Sequence, residues 1–116
     1  MRLADLDAHL LKITEPGRSW RTDATWAEAQ GVIFLCPLCW TRNGGPIGTH
    51  SVICWFRNRG VTDTETPGPG RWDPAGTGLD DLSLVRLDGG PSSVLLTGGG
   101  CGWHGHVTGG SAVGGY

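Results

Sequence analysis

The sequence predicts a small, mainly β, loop-rich domain, and three observations carry that expectation. Glycine and proline fill 21 and 7 of the 116 positions, residues that break helices and mark turns. Six tryptophans and a 38% hydrophobic fraction are more large apolar surface than a disordered chain carries. The apolar residues come in short β-branched and aromatic runs between turn clusters, the pattern of short strands. A helical bundle, a coiled coil and a collagen-like repeat are excluded by this composition. One domain over residues 1–116 is expected, with at most one or two short helical turns.

Taken in order, residues 1–15 are ambiguous. Leu3, Leu6 and Leu10 fit a helical face, whereas Leu11 and Ile13 fit strand alternation. Glu15-Pro16-Gly17 reads as a turn. Thr25 to Ala29 reads as one helical turn, because Thr25 can cap, Glu28 follows three residues on and Gly31 stops it. Val32 to Leu35 is a buried strand that runs into Cys36-Pro37-Leu38-Cys39. Asn43-Gly44-Gly45-Pro46 is a loop, and Ser51 to Phe56 is a second strand. Residues 60–78 are a long stretch rich in Gly, Pro and Thr, which Trp72 is expected to pin to the core. Leu82 to Val85 and Ser93 to Leu96 are further strands, separated by the turn Asp88-Gly89-Gly90-Pro91. Trp103 to Thr108 is the last long strand, and Gly109-Gly110 turns it into a terminal hairpin.

Charge and compartment narrow the field. Nine basic residues face eleven acidic ones, for a formal net charge of −2, which is no bulk footprint for nucleic acid or an anionic membrane. The longest mostly apolar stretch, residues 31–40, is half of what a membrane-spanning helix needs. Asp5 and Asp7 interrupt the first apolar stretch, so no secretory leader is expected. A cytosolic setting keeps thiols reduced. Four cysteines in such a chain favour metal binding over disulfides.

Two pairs carry the metal expectation. Cys36 and Cys39 form a Cys-x-x-Cys at a strand end, and Cys101 and His104 form a Cys-x-x-His before another strand. Two intervening residues let a tight turn aim both side chains at one ion, and thiolate with imidazole suits tetrahedral zinc. Gly98-Gly99-Gly100 and Gly105 would permit the close backbone approach of a metal knuckle. The expected architecture is therefore zinc-ribbon-like, with Zn²⁺ held by Cys36, Cys39, Cys101 and His104. A structural zinc would offset the chain entropy that so much glycine brings. His50 and His106 compete for the fourth place. His50 and Cys54 lie four apart on a strand, about 13 Å at ~3.3 Å per residue, so both cannot serve one ion. Cys54, between Ile53 and Trp55, reads as core, and His9 lies far from either pair.

Three segments carry a resemblance: AQGVIFLCPLC at residues 29–39, HSVICWF at 50–56, and PGRWDPAGTGLDDLSL through SVLLTGGGCGWHGHV at 69–107. They resemble a domain-of-unknown-function family of small proteins borne by tailed bacteriophages and prophages. The most specific element is the Cys-Gly-Trp-His-Gly ending. The resemblance implies a phage-encoded, zinc-ribbon-like protein in the host cytoplasm or associated with the virion. It supports Cys36, Cys39, Cys101 and His104 as ligands and supplies no catalytic residue. The family commonly carries an aromatic or aliphatic residue where this chain has His106, which suggests a half-exposed site there.

Three functional classes follow. A noncatalytic interaction module, stabilised by zinc and docking on a phage or host protein, is the first. Nucleic-acid binding is the second: Arg57, Arg59 and Arg71 lie close in sequence to Trp55, Phe56 and Trp72, and aromatic-plus-arginine surfaces suit single strands and protein partners alike. A zinc hydrolase is the third. It needs an open metal position and a general base from His50, His106, Asp80 or Asp81. The bland reading of residues 77–81 is a capped turn. No nucleophile elbow, phosphate loop or His-Glu-x-x-His motif is present.

Overall fold

A computed structural model of the chain describes residues 1–67, 70–96 and 101–114. The architecture is mainly β, with nine short strands, one α-helix and one 3-10 turn among the described residues. The 3-10 turn Leu3–Leu6 is followed by β1 (His9–Glu15), β2 (Ser19–Arg21) and β3 (Gly31–Leu35). Helix α1 (Pro37–Asn43) leads to β4 (Ser51–Trp55). Then come β5 (Asp73–Ala75), β6 (Ser83–Val85), β7 (Val94–Leu95), β8 (His104–Thr108) and β9 (Ser111–Gly114). They form three antiparallel sheets: β2-β1-β3-β4, β5-β6 and β7-β8-β9.

The first 15 residues resolve their ambiguity by dividing. Leu3 and Leu6 enter the core from the 3-10 turn and Leu10 enters it from β1, while Leu11 is buried on the opposite face of that strand. The Thr25 turn forms as expected. Ala29 N–H donates to Thr25 O at 2.9 Å, and Glu28 Oε1 accepts the Thr25 N–H at 3.2 Å, the reciprocal half of a capping box. The β8–β9 hairpin also forms, with Gly109 and Gly110 at φ 54° and 80°, the signs a tight two-residue turn needs.

The chain departs from the expected elements in two places. Residues after Cys36 form α1 where a tight turn between the two cysteines is expected, with Pro37 at its first position and Gly44 in the left-handed conformation closing it. Residues 60–78 contain β5, and Trp72 anchors them as expected: its indole N–H donates to Ser92 O at 3.0 Å and its ring packs on the core. The strands on either side of the Asp88 turn form as expected, and each pairs elsewhere. β6 joins β5, and β7 joins β8.

Strand alternation sets the core. On β3 and β4 the even-numbered residues Val32, Phe34, Val52 and Cys54 are all buried, so one face of this hairpin packs inward. Trp103, at the entry to β8, is 3% exposed and meets Phe34 edge-on, with ring centroids 6.2 Å apart at 85°. That contact joins the four-stranded sheet to the three-stranded one, and such aromatic pairs add about 0.5–1.5 kcal/mol beyond their buried area.

Candidate metal centre

The Phe34–Trp103 contact lies two residues from Cys36 on one strand and two from Cys101 on the other, so it delivers both cysteines to one place. The register of β3 against β4 does the rest. The last pair is Leu35 with Ser51, and one step further Cys36 N–H donates to His50 O at 2.9 Å. Cys36 and His50 are therefore cross-strand neighbours, and such neighbours share a face. The loop that returns the chain to His50 is fastened by Thr49, whose N–H donates to Pro46 O and whose hydroxyl donates to Gly45 O at 2.7 Å. Cys39 arrives from the first turn of α1.

The outcome is a four-residue cluster. One ligand atom each from Cys36, Cys39, His50 and Cys101 lies within 4.8 Å of all the others. Cys36 Sγ and Cys101 Sγ are 3.4 Å apart, as are His50 Nε2 and Cys101 Sγ. The edges of a tetrahedral zinc site with three thiolates and one imidazole are about 3.5–3.8 Å, given Zn–S ≈ 2.3 Å and Zn–N ≈ 2.0–2.1 Å. The donor set thus has the size and chemistry to hold a metal ion. Ser51 O fixes the imidazole: a carbonyl only accepts, so His50 Nδ1–H donates to it at 3.2 Å. This turns Nε2 toward the cluster, the ring nitrogen free to ligate when the other is held by a backbone carbonyl.

Three of the four residues expected at the metal, Cys36, Cys39 and Cys101, come together, and the histidine that joins them is His50. His104 lies outside the cluster. It opens β8, and strand alternation turns it away from the face that Trp103 and Val107 bury. His106 shares that outward face. The two predicted pairs are therefore built differently. Cys-x-x-Cys spans a helix N-terminus, while Cys-x-x-His runs straight into a strand. Gly105 is needed for a different closeness than a metal knuckle's: a Cβ there would meet Val113 O and the Trp103 ring. Gly98-Gly99-Gly100 lie outside the described residues.

The thiols differ electrostatically. Burial pushes the Cys36 thiol well above its ordinary range, and the N–H groups of Leu38 and Cys39 pull the other way without reversing it. Burial and the neighbouring Cys101 likewise raise Cys39. Cys101 is also pushed up by burial. Hydrogen bonding from His50 and the Trp103 N–H, with help from the thiols of Cys36 and Cys39, outweighs that and brings it down to about 6. Cys54 is fully buried on β4, and burial alone raises its thiol. As expected, it is core, and it lies outside the cluster.

The other candidate groups are engaged elsewhere. Arg57 Nη1 donates to Asp73 Oδ2 at 3.0 Å and lies 3.4 Å from Asp88. Arg59 donates to the carbonyls of Trp26 and Ala29 and lies over the rings of Trp26 and Phe56 at 5.7 and 5.9 Å, a cation–π geometry. Arg71 donates to the carbonyls of Thr62, Glu65, Pro67 and Gly70. The Asp81 carboxylate accepts the Thr77 and Gly78 N–H groups and the Thr77 hydroxyl, so residues 77–81 are the capped turn. No helix among the described residues is long and apolar enough to cross a membrane. In comparisons with known proteins, no family model, no curated protein and no solved structure matches this chain.

Proposed function

We propose that the ion is zinc, that the thiolates of Cys36, Cys39 and Cys101 and Nε2 of His50 fill its four positions, and that its role is structural. The protein is then a noncatalytic module whose fold the metal holds for interaction with a partner protein. The observation that carries this reading is the Cys₃His cluster drawn from three separate parts of the chain. Four protein donors close a tetrahedral site, whereas hydrolytic zinc keeps one position for water. When bound, zinc supplies cross-links among its ligands and holds the thiols as thiolates. The residues of this chain supply the geometry: Thr49 and Ser51 fix His50, α1 fixes Cys39, and Phe34 with Trp103 brings Cys101 to Cys36. The resemblance to phage and prophage proteins adds a setting to this proposal, which the neighbouring genes of the coding sequence would test.

Elemental analysis of protein purified without added metal should find one zinc per chain, and X-ray absorption should find three sulfur and one nitrogen neighbours. His50→Ala should lower metal affinity at least tenfold, as loss of a ligand or its support does. His104→Ala should retain the full complement. Retention by His50→Ala with loss by His104→Ala would reverse the assignment of the fourth ligand. Folded protein with substoichiometric zinc would overturn the reading as a whole.

A further inference from the structure

A second feature lies beside the metal cluster. The outer edge of β4 and the outer edge of β7 both line one cleft of about 380 Å³, with Val52, Trp72 and Val94 among its walls. The hydrogen bonds fix which backbone groups face it. Phe56 N–H donates to Gln30 O, and Cys36 N–H donates to His50 O. The even-numbered residues of β4 therefore pair with β3, and Ile53 turns its N–H and C=O outward. On β7, Leu96 N–H donates to Trp103 O, so Leu95 likewise turns its N–H and C=O away from β8. Among the described residues nothing meets these four groups.

One end of the β4 edge is already closed in a telling way. Trp72 N–H donates to Trp55 O, and Arg57 N–H donates to Trp72 O, in a parallel bridge beside Phe56. An extended segment thus already adds to this edge where Trp72 lies. The open rung on the same edge is Ile53, since Ser51 O already accepts from His50 Nδ1–H. An open strand edge is a template for another chain, and strand addition is a recurrent mode of peptide recognition. Among the described residues no charged side chain lines the cleft, which disfavours phosphate-bearing or ionic ligands.

We propose that this cleft takes one extended, uncharged segment of a partner protein, which adds as a strand between β4 and β7. The segment would be short, about four residues, because β7 offers only Val94 and Leu95. Its backbone would exchange hydrogen bonds with Ile53 on one side and Leu95 on the other. Its alternate side chains would point to Val52 and Val94 or to solvent. The inference rests on reading the chain as an interaction module, and it is separable from the metal assignment, which zinc stoichiometry decides.

The test uses the whole, metal-loaded chain, with its fold verified by its NMR spectrum. A random heptapeptide library is selected against it by ribosome display. Enriched peptides should lack charge at their central positions, and binding should slow hydrogen exchange at the Ile53 and Leu95 amides. N-methylation of the peptide should cost at least tenfold in affinity at alternate residues and little between them, because strand groups alternate in direction. Uniform tolerance of N-methylation, protection of amides elsewhere, or binding of oligothymidylate with no peptide enriched would each overturn the proposal.

Discussion

Cys54 and Cys36 lie on the same buried face of one hairpin, yet only one of them reaches the metal cluster. The difference is position along the face. Cys54 is paired with Val32 in the middle of the sheet, whereas Cys36 stands one step past the last pair, opposite His50. Cys54→Ala should therefore keep full metal content and cost little, while Cys54→Ser buries a hydroxyl without an assigned partner and should cost about 1–3 kcal/mol in denaturant unfolding. The cluster thiols give a second prediction. Cys36 and Cys39 are raised and Cys101 is lowered to about 6. Near pH 7 to 8, metal binding must then displace at least the thiol protons of Cys36 and Cys39. Affinity should rise with pH by at least about a hundredfold per unit, measured by chelator competition, because each proton released contributes a factor of ten. A flat profile would contradict these protonation states. Three of the four cluster residues are legible from spacing alone. His50 is legible only once β3 and β4 are set antiparallel, since the cross-strand neighbour of Cys36 then follows.

At the scale of elements, the β3–α1–β4 unit places most of the site. Gly31 shows how tightly it is built: a Cβ there would lie 2.6 Å from the Trp55 ring and 3.0 Å from Cys54 O. Gly31→Ala should destabilise the fold by about 1–3 kcal/mol, the usual cost of overpacking, read as a lowered Tm with zinc still bound at one per chain. The strands of this unit were legible from their β-branched and aromatic runs. Helix α1 was not, because Pro-Leu-Cys-Trp carries no helical periodicity over so short a span. Its signals were the proline at the first position and the glycine past the end. β5 was hidden for a related reason. Asp73-Pro74-Ala75 has no apolar alternation, and its pairing depends on β6 and on the Asp73 carboxylate, which accepts the Leu87 N–H.

At the scale of the whole molecule, the cluster is a bond between sheets. Cys36, Cys39 and His50 belong to the end of the four-stranded sheet, and Cys101 leads into the three-stranded one. Beside it the Phe34–Trp103 contact joins the same two sheets. Stripping the metal with a strong chelator under reducing conditions should first expose the amides of β7 and β8 to hydrogen exchange, with β1 and β3 protected longest. Simultaneous loss of protection in all sheets would show that the metal is needed for each of them separately. The sheet division itself was not legible, because the run of short strands fits several pairings. What selects one is the burial of Trp103 against Phe34, a long-range contact that local patterning does not encode.

The sequence separation of the ligands has a consequence for synthesis. Cys36, Cys39 and His50 leave the ribosome together, and Cys101 follows 51 residues after His50. At about 5–20 residues per second, that delay is roughly 3–10 s. During it the nascent chain holds three of the four donors of the cluster and lacks the fourth. The four-residue cluster is thus assembled in two stages, and the second stage waits on translation.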